Sequence, residues 1–482
     1  MNLSELAATG RTPPAPCQLV LDATTRLGIE HWLRVLPGQR YVARARWRDR
    51  VVLVKLLVGR KAARRHRAEL AGAEHLAAQH LATPALRDHG FIAGQGGWLL
   101  YDWLHDARSL HEQWCDTCDT EPGAAPLSAS RLALLAEALA SIAALHRAGL
   151  WQADLHLDNL LRQRDTLYLI DVGTVHAQTP GQPLSRRRTI TNLALFFAQF
   201  PPWIEPCVAG LLAHYLVVNP SHALPLQALL TAIARQRRRR VRHYLKKSTR
   251  DCSLFAAHVG ANEGANGLQI VRRDEAEQLL PLLPQLDAQL AAGHIFKTGG
   301  SASVARIVWQ GRALVVKRYN VKNWRHALRR CWRASRAVHS WRAAHRLELL
   351  DIATPRPLAV IEERCCGLRQ RAWLITEHCD GPDLLDYLSA YLHTAAPEVA
   401  IAALAQLLAS LIQARVSHGD LKGHNLIWHD EKWWLIDLDA MREHRCRRTY
   451  ARAYARDRAR LLRNFPQQSA LYRLLDARLP RV

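Results

Sequence analysis

The chain carries one polar triplet twice, at identical spacing. Asp154, Asn159 and Asp171 in "QADLHLDNLLRQRDTLYLIDVG" recur as Asp420, Asn425 and Asp437 in "HGDLKGHNLIWHDEKWWLIDLD", at a constant offset of 266 residues. The likeness does not stop there. "YVARARWRDRVVLVKLL" lies over "SVARIVWQGRALVVKRY", sharing Val-Ala-Arg, a Trp, and a Lys eight residues after that Trp, namely Lys55 and Lys317. Each segment alternates around a turn and then runs apolar, which predicts a hairpin whose second strand bears the Lys. A helix-like segment follows, ending in Ala82-Thr83-Pro84 or Ala353-Thr354-Pro355, and then the apolar strands "GGWLLYDWL" and "RAWLITEHC". Downstream of the triplets, "TNLALFFAQFPP" answers "RDRARLLRNFPQ". The second copy has nine more residues before its Ala-Thr-Pro, falling in the basic stretch "NVKNWRHALRR". A repeat this long is a domain in its own right, too large for a solenoid unit.

Each copy therefore orders as hairpin, Lys strand, helix, further strands, long helix, Asp loop and a short strand ending in Asp. That order predicts an α+β arrangement of two lobes with a cleft between them. Over 482 residues, the division expected is an N-terminal segment 1–30, a first domain 31–232, a basic helical linker 233–290 and a second domain 291–482. The linker holds eight Lys and Arg between Arg235 and Lys247.

Sixty-six Lys and Arg against 42 Asp and Glu leave a formal net charge of +24. The balance favours an anionic partner: an acidic membrane surface, a phosphorylated substrate or nucleic acid. Nucleic acid ranks below the others, because no zinc-finger, RNP or helix-turn-helix signature accompanies the charge. The N-terminus lacks a basic region followed by an apolar core, and no 18-residue uninterrupted apolar run occurs, so neither a secretory signal nor a transmembrane helix is expected. The apolar segments 132–145 and 399–412 read as buried helices. "CDTC" (Cys115, Cys118) has metal-ligand spacing, yet no second pair completes a tetrahedral set, and the ten Cys show no disulfide framework.

The repeated residues have a shared chemical logic. An Asp on a loop can accept the proton of an attacking hydroxyl, while an Asn five residues on and a strand-end Asp can hold Mg²⁺ against phosphate oxygens. A strand Lys neutralises phosphates, and a helical Glu holds that Lys in place. These are the parts of a phosphoryl transferase. Both copies resemble the protein-kinase-like superfamily, with Asp154 and Asp420 in the catalytic-loop position and Asp171 and Asp437 in the metal-loop position. The short "HGDLKGHNLI" loop, "LELLDIATPRPLAV", "KKSTRDCSLF" and the terminal "RDRARLLRNF" are similar to the lipopolysaccharide core kinases that act on heptose or Kdo. The resemblance implies two tandem bilobal kinase-like domains, use of ATP and Mg²⁺, and a lipopolysaccharide core or other anionic glycolipid as acceptor. It also implies a cytoplasmic protein, peripheral on the inner membrane through its basic surface.

On this reading Asp420 and Asp154 are the bases, and Asn425, Asp437, Asn159 and Asp171 are the metal ligands. Lys317 and Lys55 clamp phosphate, with Glu69 as the partner of Lys55, although Glu74 lies close in sequence. In the second copy Ser340 aligns with Glu69, which leaves Lys317 without its helical partner. That copy nevertheless has Gly299 and Gly300, whose amides could approach phosphates, and Lys422 in the loop. The balance leans toward the second copy as the transferase. A protein hydroxyl as acceptor, or a pseudokinase scaffold for core assembly, are the rival readings.

Overall fold

The computed structural model describes residues 1–117, 127–262, 265–320, 335–365 and 368–482. Cys118, Cys366 and nearly all of the basic stretch after Asn320 lie outside the described residues. The chain divides into two compact units, residues 1–199 with 204–237 and residues 200–203 with 238–482.

The first unit is built on a six-stranded antiparallel sheet. Its order is Cys17–Val20, Arg26–Leu36, Arg40–Trp47, Arg50–Leu57, Gly96–Asp102, Leu86–Ile92. Residues 17–30, assigned from sequence to a separate N-terminal segment, supply the edge strand and part of its neighbour. Leu19, Leu27 and Ile29 lie in the same apolar cluster as Leu3, Leu6, Tyr41 and Val54, so this segment closes the sheet's core. The helix Ala62–Ala78 packs beside the sheet, and Gly72 is the reason it can approach so closely. A Cβ there would stand 1.9 Å from the Val172 carbonyl oxygen in the 3₁₀ turn Val172–Thr174.

The helical half of this unit centres on Ala129–Arg147, which covers the apolar 132–145 stretch. Among the described residues it is the one helix long and apolar enough to cross a membrane, where the sequence suggested none. Its composition has a local explanation in core packing. Leu135, Ala138, Leu139, Ile142 and Ala143 are fully buried within the unit, and the buried His146 bonds Tyr215 through Nδ1 and Asn192 through Nε2. Burial pushes His146 down to about 4, with the Asn192 bond opposing in part, so the ring is neutral near pH 7.

The second unit has a seven-stranded antiparallel sheet: Phe255–Asn262, Ala265–Arg272, Pro357–Cys365, Leu368–Glu377, Arg312–Tyr319, Ala302–Trp309, His294–Lys297. Two of these strands fall within residues 233–290, read from sequence as linker. The hairpin adds to the Pro357–Cys365 edge through Asn266–Val271, and Leu279, Leu282, Leu286 and Leu290 fill one face of the sheet. Only the start of that stretch is a basic helix, Leu226–Lys247, whose Ile233, Val241 and Leu245 are buried while Arg235, Arg239 and Arg242 are exposed. The apolar helix Glu398–Ala414 anchors a second, helix-rich core with Leu384, Trp433, Leu435 and Leu461.

Gly72→Ala should force the helix off Val172 and lower the unfolding free energy by about 1–3 kcal/mol. Chemical denaturation of the full chain, followed by near-ultraviolet circular dichroism, checks this.

Candidate active site

The two Lys strands sit in matching registers. Lys55 lies opposite Val42 on one side and Leu99 on the other, and Lys317 lies opposite Val304 and Leu374. Being central in a sheet, each Lys is held by ladder bonds on both sides. The Ala-Thr-Pro tripeptides position the opposing carboxylate. Thr83 Oγ1 donates to the Leu169 carbonyl at 2.9 Å and Thr354 Oγ1 to Leu435 at 2.8 Å, while the Leu169 and Leu435 amides donate to Ala82 and Ala353. The strand ending in Asp171 or Asp437 is thereby tied to the segment after the helix. Both Asp residues adopt left-handed backbone, φ 56° and 57°, which turns the chain directly after the strand.

In the first unit the charges close as the sequence predicts. Lys55 Nζ donates to Glu69 Oε1 and Oε2 at 2.9 and 2.8 Å and to Asp171 Oδ1 at 3.3 Å. Tyr101 adds its hydroxyl to Glu69 Oε2 at 3.2 Å. Lys55 and Glu69 are 7% and 4% exposed, so the pair is desolvated, whereas Glu74 is exposed. Arg40 Nη1 also reaches Asp171 Oδ1, at 3.3 Å. Burial raises the Asp171 carboxyl, but Lys55 and Arg40 together outweigh it and the net shift is downward.

The second unit solves the same problem from the other side. Ser340 does stand on the helix Arg336–Leu349 facing the Lys, yet Lys317 is not left alone. Its Nζ donates to Asp437 Oδ1 at 2.7 Å and to Asp439 Oδ2 at 3.0 Å. Asp439 further accepts from Ser340 Oγ at 2.6 Å, Tyr319 OH at 2.6 Å and Arg336 Nη2 at 2.6 Å. The carboxylate has moved from the helix to the loop. Its counterpart in the first unit is Gly173, where a Cβ would lie 2.9 Å from the Glu69 carboxylate, so a side chain there and Glu69 compete for one space. The signal was present in the sequence as a reciprocal exchange, Glu69 with Gly173 against Ser340 with Asp439.

The Asp-Asn loops also match. Asn159 Nδ2 donates to the Asp154 carbonyl at 2.6 Å and Asn425 Nδ2 to the Asp420 carbonyl at 2.8 Å. Buried His418 donates from Nε2 to the Ile436 carbonyl at 3.0 Å and accepts the Asp420 amide on Nδ1 at 3.3 Å, which fixes a neutral tautomer. Gln152 makes the equivalent bond to the Ile170 carbonyl at 2.8 Å, but its Oε1 has no partner. Asp457, not singled out from sequence, accepts the His418 and Gly419 amides at 2.7 and 3.0 Å and so shapes the loop. Asp420 itself is flanked by Arg460 Nη1 at hydrogen-bond distance on Oδ1 and by Lys422 Nζ at 3.4 Å on Oδ2. Near Asp154, His156 Nε2 stands 3.8 Å from Oδ2.

The donor set suits a metal delivered with phosphate. The Asn425 carboxamide oxygen accepts no hydrogen bond among the described residues, and Asp437 keeps Oδ2 beyond its Lys317 bond. Mg²⁺ needs one or two such oxygens besides phosphate and water. No group of three or more His, Cys, Asp or Glu able to hold a metal occurs among the described residues. Gly299 lies in the turn before Ala302–Trp309, where a Cβ would meet only the Ala302 carbonyl at an ordinary 3.5 Å. Local packing therefore does not demand a glycine there.

An α+β, kinase-like fold with this constellation defines a phosphotransferase. Residues 296–474, within the second unit, match the "Lipopolysaccharide kinase (Kdo/WaaP) family". Among solved structures, the chain is similar to "WaaP in complex with acyl carrier protein", at 19% identity over 43% of this chain and 87% of that one, TM-score 0.32. It is also similar to the Mycobacterium tuberculosis PknI kinase domain, at 18% identity over 47% of this chain and 99% of that one, TM-score 0.30. No curated protein matches the sequence.

Two outcomes test the exchanged carboxylate. Asp439→Gly should weaken the Lys317 site, and adding Ser340→Glu should restore much of the loss, read as nucleotide affinity and thermal unfolding. Burial raises the Asp439 carboxyl, but Lys317, Ser340, Tyr319 and Arg336 overcome it and hold it at about 2, below the ordinary 3.8. A depressed folded-state value means stability fully present above 3.8 and lost as pH falls toward 2. The gap between wild type and Asp439→Asn in urea unfolding should therefore narrow across that window.

Proposed function

We propose that the protein is an ATP- and Mg²⁺-dependent kinase that phosphorylates a sugar hydroxyl of the lipopolysaccharide core at the cytoplasmic membrane face. In this reading the chain is two tandem kinase-like domains, and the second carries the transfer. The observation that carries it is the convergence of Lys317, Asp437 and Asp439 within 3.0 Å, inside the segment that matches the family. Asp420 accepts the proton of the acceptor hydroxyl. Asn425 and Asp437 hold the metal, which supplies charge neutralisation at the phosphates. Lys317 clamps phosphate, and Lys422 lies within 3.4 Å of Asp420 to meet the transferred group. Gly299 and Gly300 form the turn whose amides approach phosphate.

Arg40 supports a second reading for the first unit, as a non-transferring partner domain. Its guanidinium takes up Asp171 Oδ1, the oxygen also bonded by Lys55, whereas Ala302 aligns with Arg40 in the second copy. A cation already on the carboxylate competes with Mg²⁺.

ATP consumption by purified protein, with and without delipidated lipopolysaccharide core, separates these readings. Asp420→Ala should reduce core-stimulated turnover by about 10²–10⁴-fold, while Asp154→Ala should leave it largely intact. Loss in Asp154→Ala alone would transfer the chemistry to the first unit. Phosphate appearing on protein instead of sugar would favour the protein-kinase reading.

A further inference from the structure

Beside Asp420 the second unit has a cavity of about 440 Å³ that the transfer chemistry leaves unexplained. The helix Arg447–Leu462 and the residue after it present Arg456, Arg460 and Arg463 at i, i+4 and i+7 spacing, hence on one face, and all three line the cavity. Arg442 completes the lining from the strand Arg442–Glu443. Arg442, Arg456 and Arg463 are exposed and have no ion-pair partner among the described residues. Arg460 is shared, bonding Asp420 Oδ1 and reaching the Gly419 carbonyl at 3.4 Å.

His444 also lines the cavity, bonded through Nε2 to Ser417 at 2.8 Å. Burial first, then Arg442 and Arg456, push the imidazole below its ordinary value against the opposing pull of Asp457. The positive field is therefore supplied by guanidiniums. Buried Asp457 also lines the cavity, but its carboxylate accepts the His418 and Gly419 amides and forms no ion pair with these arginines among the described residues. In the first copy Thr191, Leu195 and Ala198 align with Arg456, Arg460 and Arg463, so the charge belongs to one copy only.

Unpaired guanidiniums around a concave site suit a planar or tetrahedral oxyanion, which they can bind with charge-assisted, bidentate bonds. We propose that this cavity binds an anionic group carried by the acceptor sugar, a carboxylate or a phosphate monoester, and thereby sets the acceptor hydroxyl against Asp420. The proposal rests on the kinase reading above and adds a selectivity to it. The acceptor must already be acidic when it arrives, so the reaction that installs the sugar acid or an earlier phosphate precedes this one.

The test is isothermal titration of the full chain and of an Arg456→Gln/Arg463→Gln double variant with four probes. These are free Kdo as a sugar acid, its neutral methyl ester, inorganic phosphate, and Mg·ADP as a site elsewhere in the cleft. Both substitutions are at exposed positions, and an unchanged Mg·ADP affinity and unfolding temperature certify the folded variant. Kdo or phosphate should bind wild type and bind the double variant about tenfold or more weaker, with the ester ineffective on both. Kdo binding well ahead of phosphate assigns a carboxylate, and the reverse assigns a phosphate. Absence of anion binding to wild type, or equal binding to both proteins, overturns the proposal. Arginine-dependent binding combined with core-stimulated turnover unchanged in Asp420→Ala would preserve the cavity's role and overturn the kinase reading instead.

Discussion

Each unit is organised around an amine that is buried or nearly so and must be matched by carboxylates. A Lys in the middle of a sheet is largely withdrawn from water, and a charge that is buried there without a partner costs several kcal/mol. The partner can come from the helix, as with Glu69, or from the loop, as with Asp439. Either way helix, sheet and Asp loop are brought to one point. The tyrosines complete it, Tyr101 donating to Glu69 and Tyr319 to Asp439, with the Lys ammonium 5.5 and 5.0 Å from their ring centres.

The exchange of Glu69 and Gly173 for Ser340 and Asp439 explains why both Lys environments can be electrostatically complete while differing in shape. The second is more exposed, and Arg336 joins Lys317 on the loop carboxylate Asp439. The first is drier, and Arg40 takes a place on Asp171. These differences, more than the missing helical Glu, separate the two units chemically.

Much of the candidate site was legible because its residues recur in order at fixed spacing: the Lys strands and the Asp-Asn loops fall where the pattern puts them, whereas the left-handed backbone at each strand-end Asp was not foreseen. The outer elements were less legible. Residues 17–30 and 255–272 are short strands whose role depends on which edge is free to accept them, and edge pairing is not encoded in local alternation. Asp439 and Asp457 were hidden for a related reason. Their work is to satisfy groups distant in sequence, Lys317 for one and the His418 amide for the other, and only the fold shows which groups are left needing a partner. The long apolar helix Ala129–Arg147 illustrates the limit of composition, because the same stripe serves a domain core here.

The Ala-Thr-Pro clamps carry a mechanical consequence. Thr83 and Thr354 fasten the segment between the helix and the next strand of the sheet half onto the strand that ends in the Asp, by hydroxyl and amide bonds together. Within each unit this double stitch holds the strand leading to the Asp against the segment that enters the sheet, so the spacing of Lys and Asp is set by neutral bonds outside the charge cluster as well as by the ion pair itself.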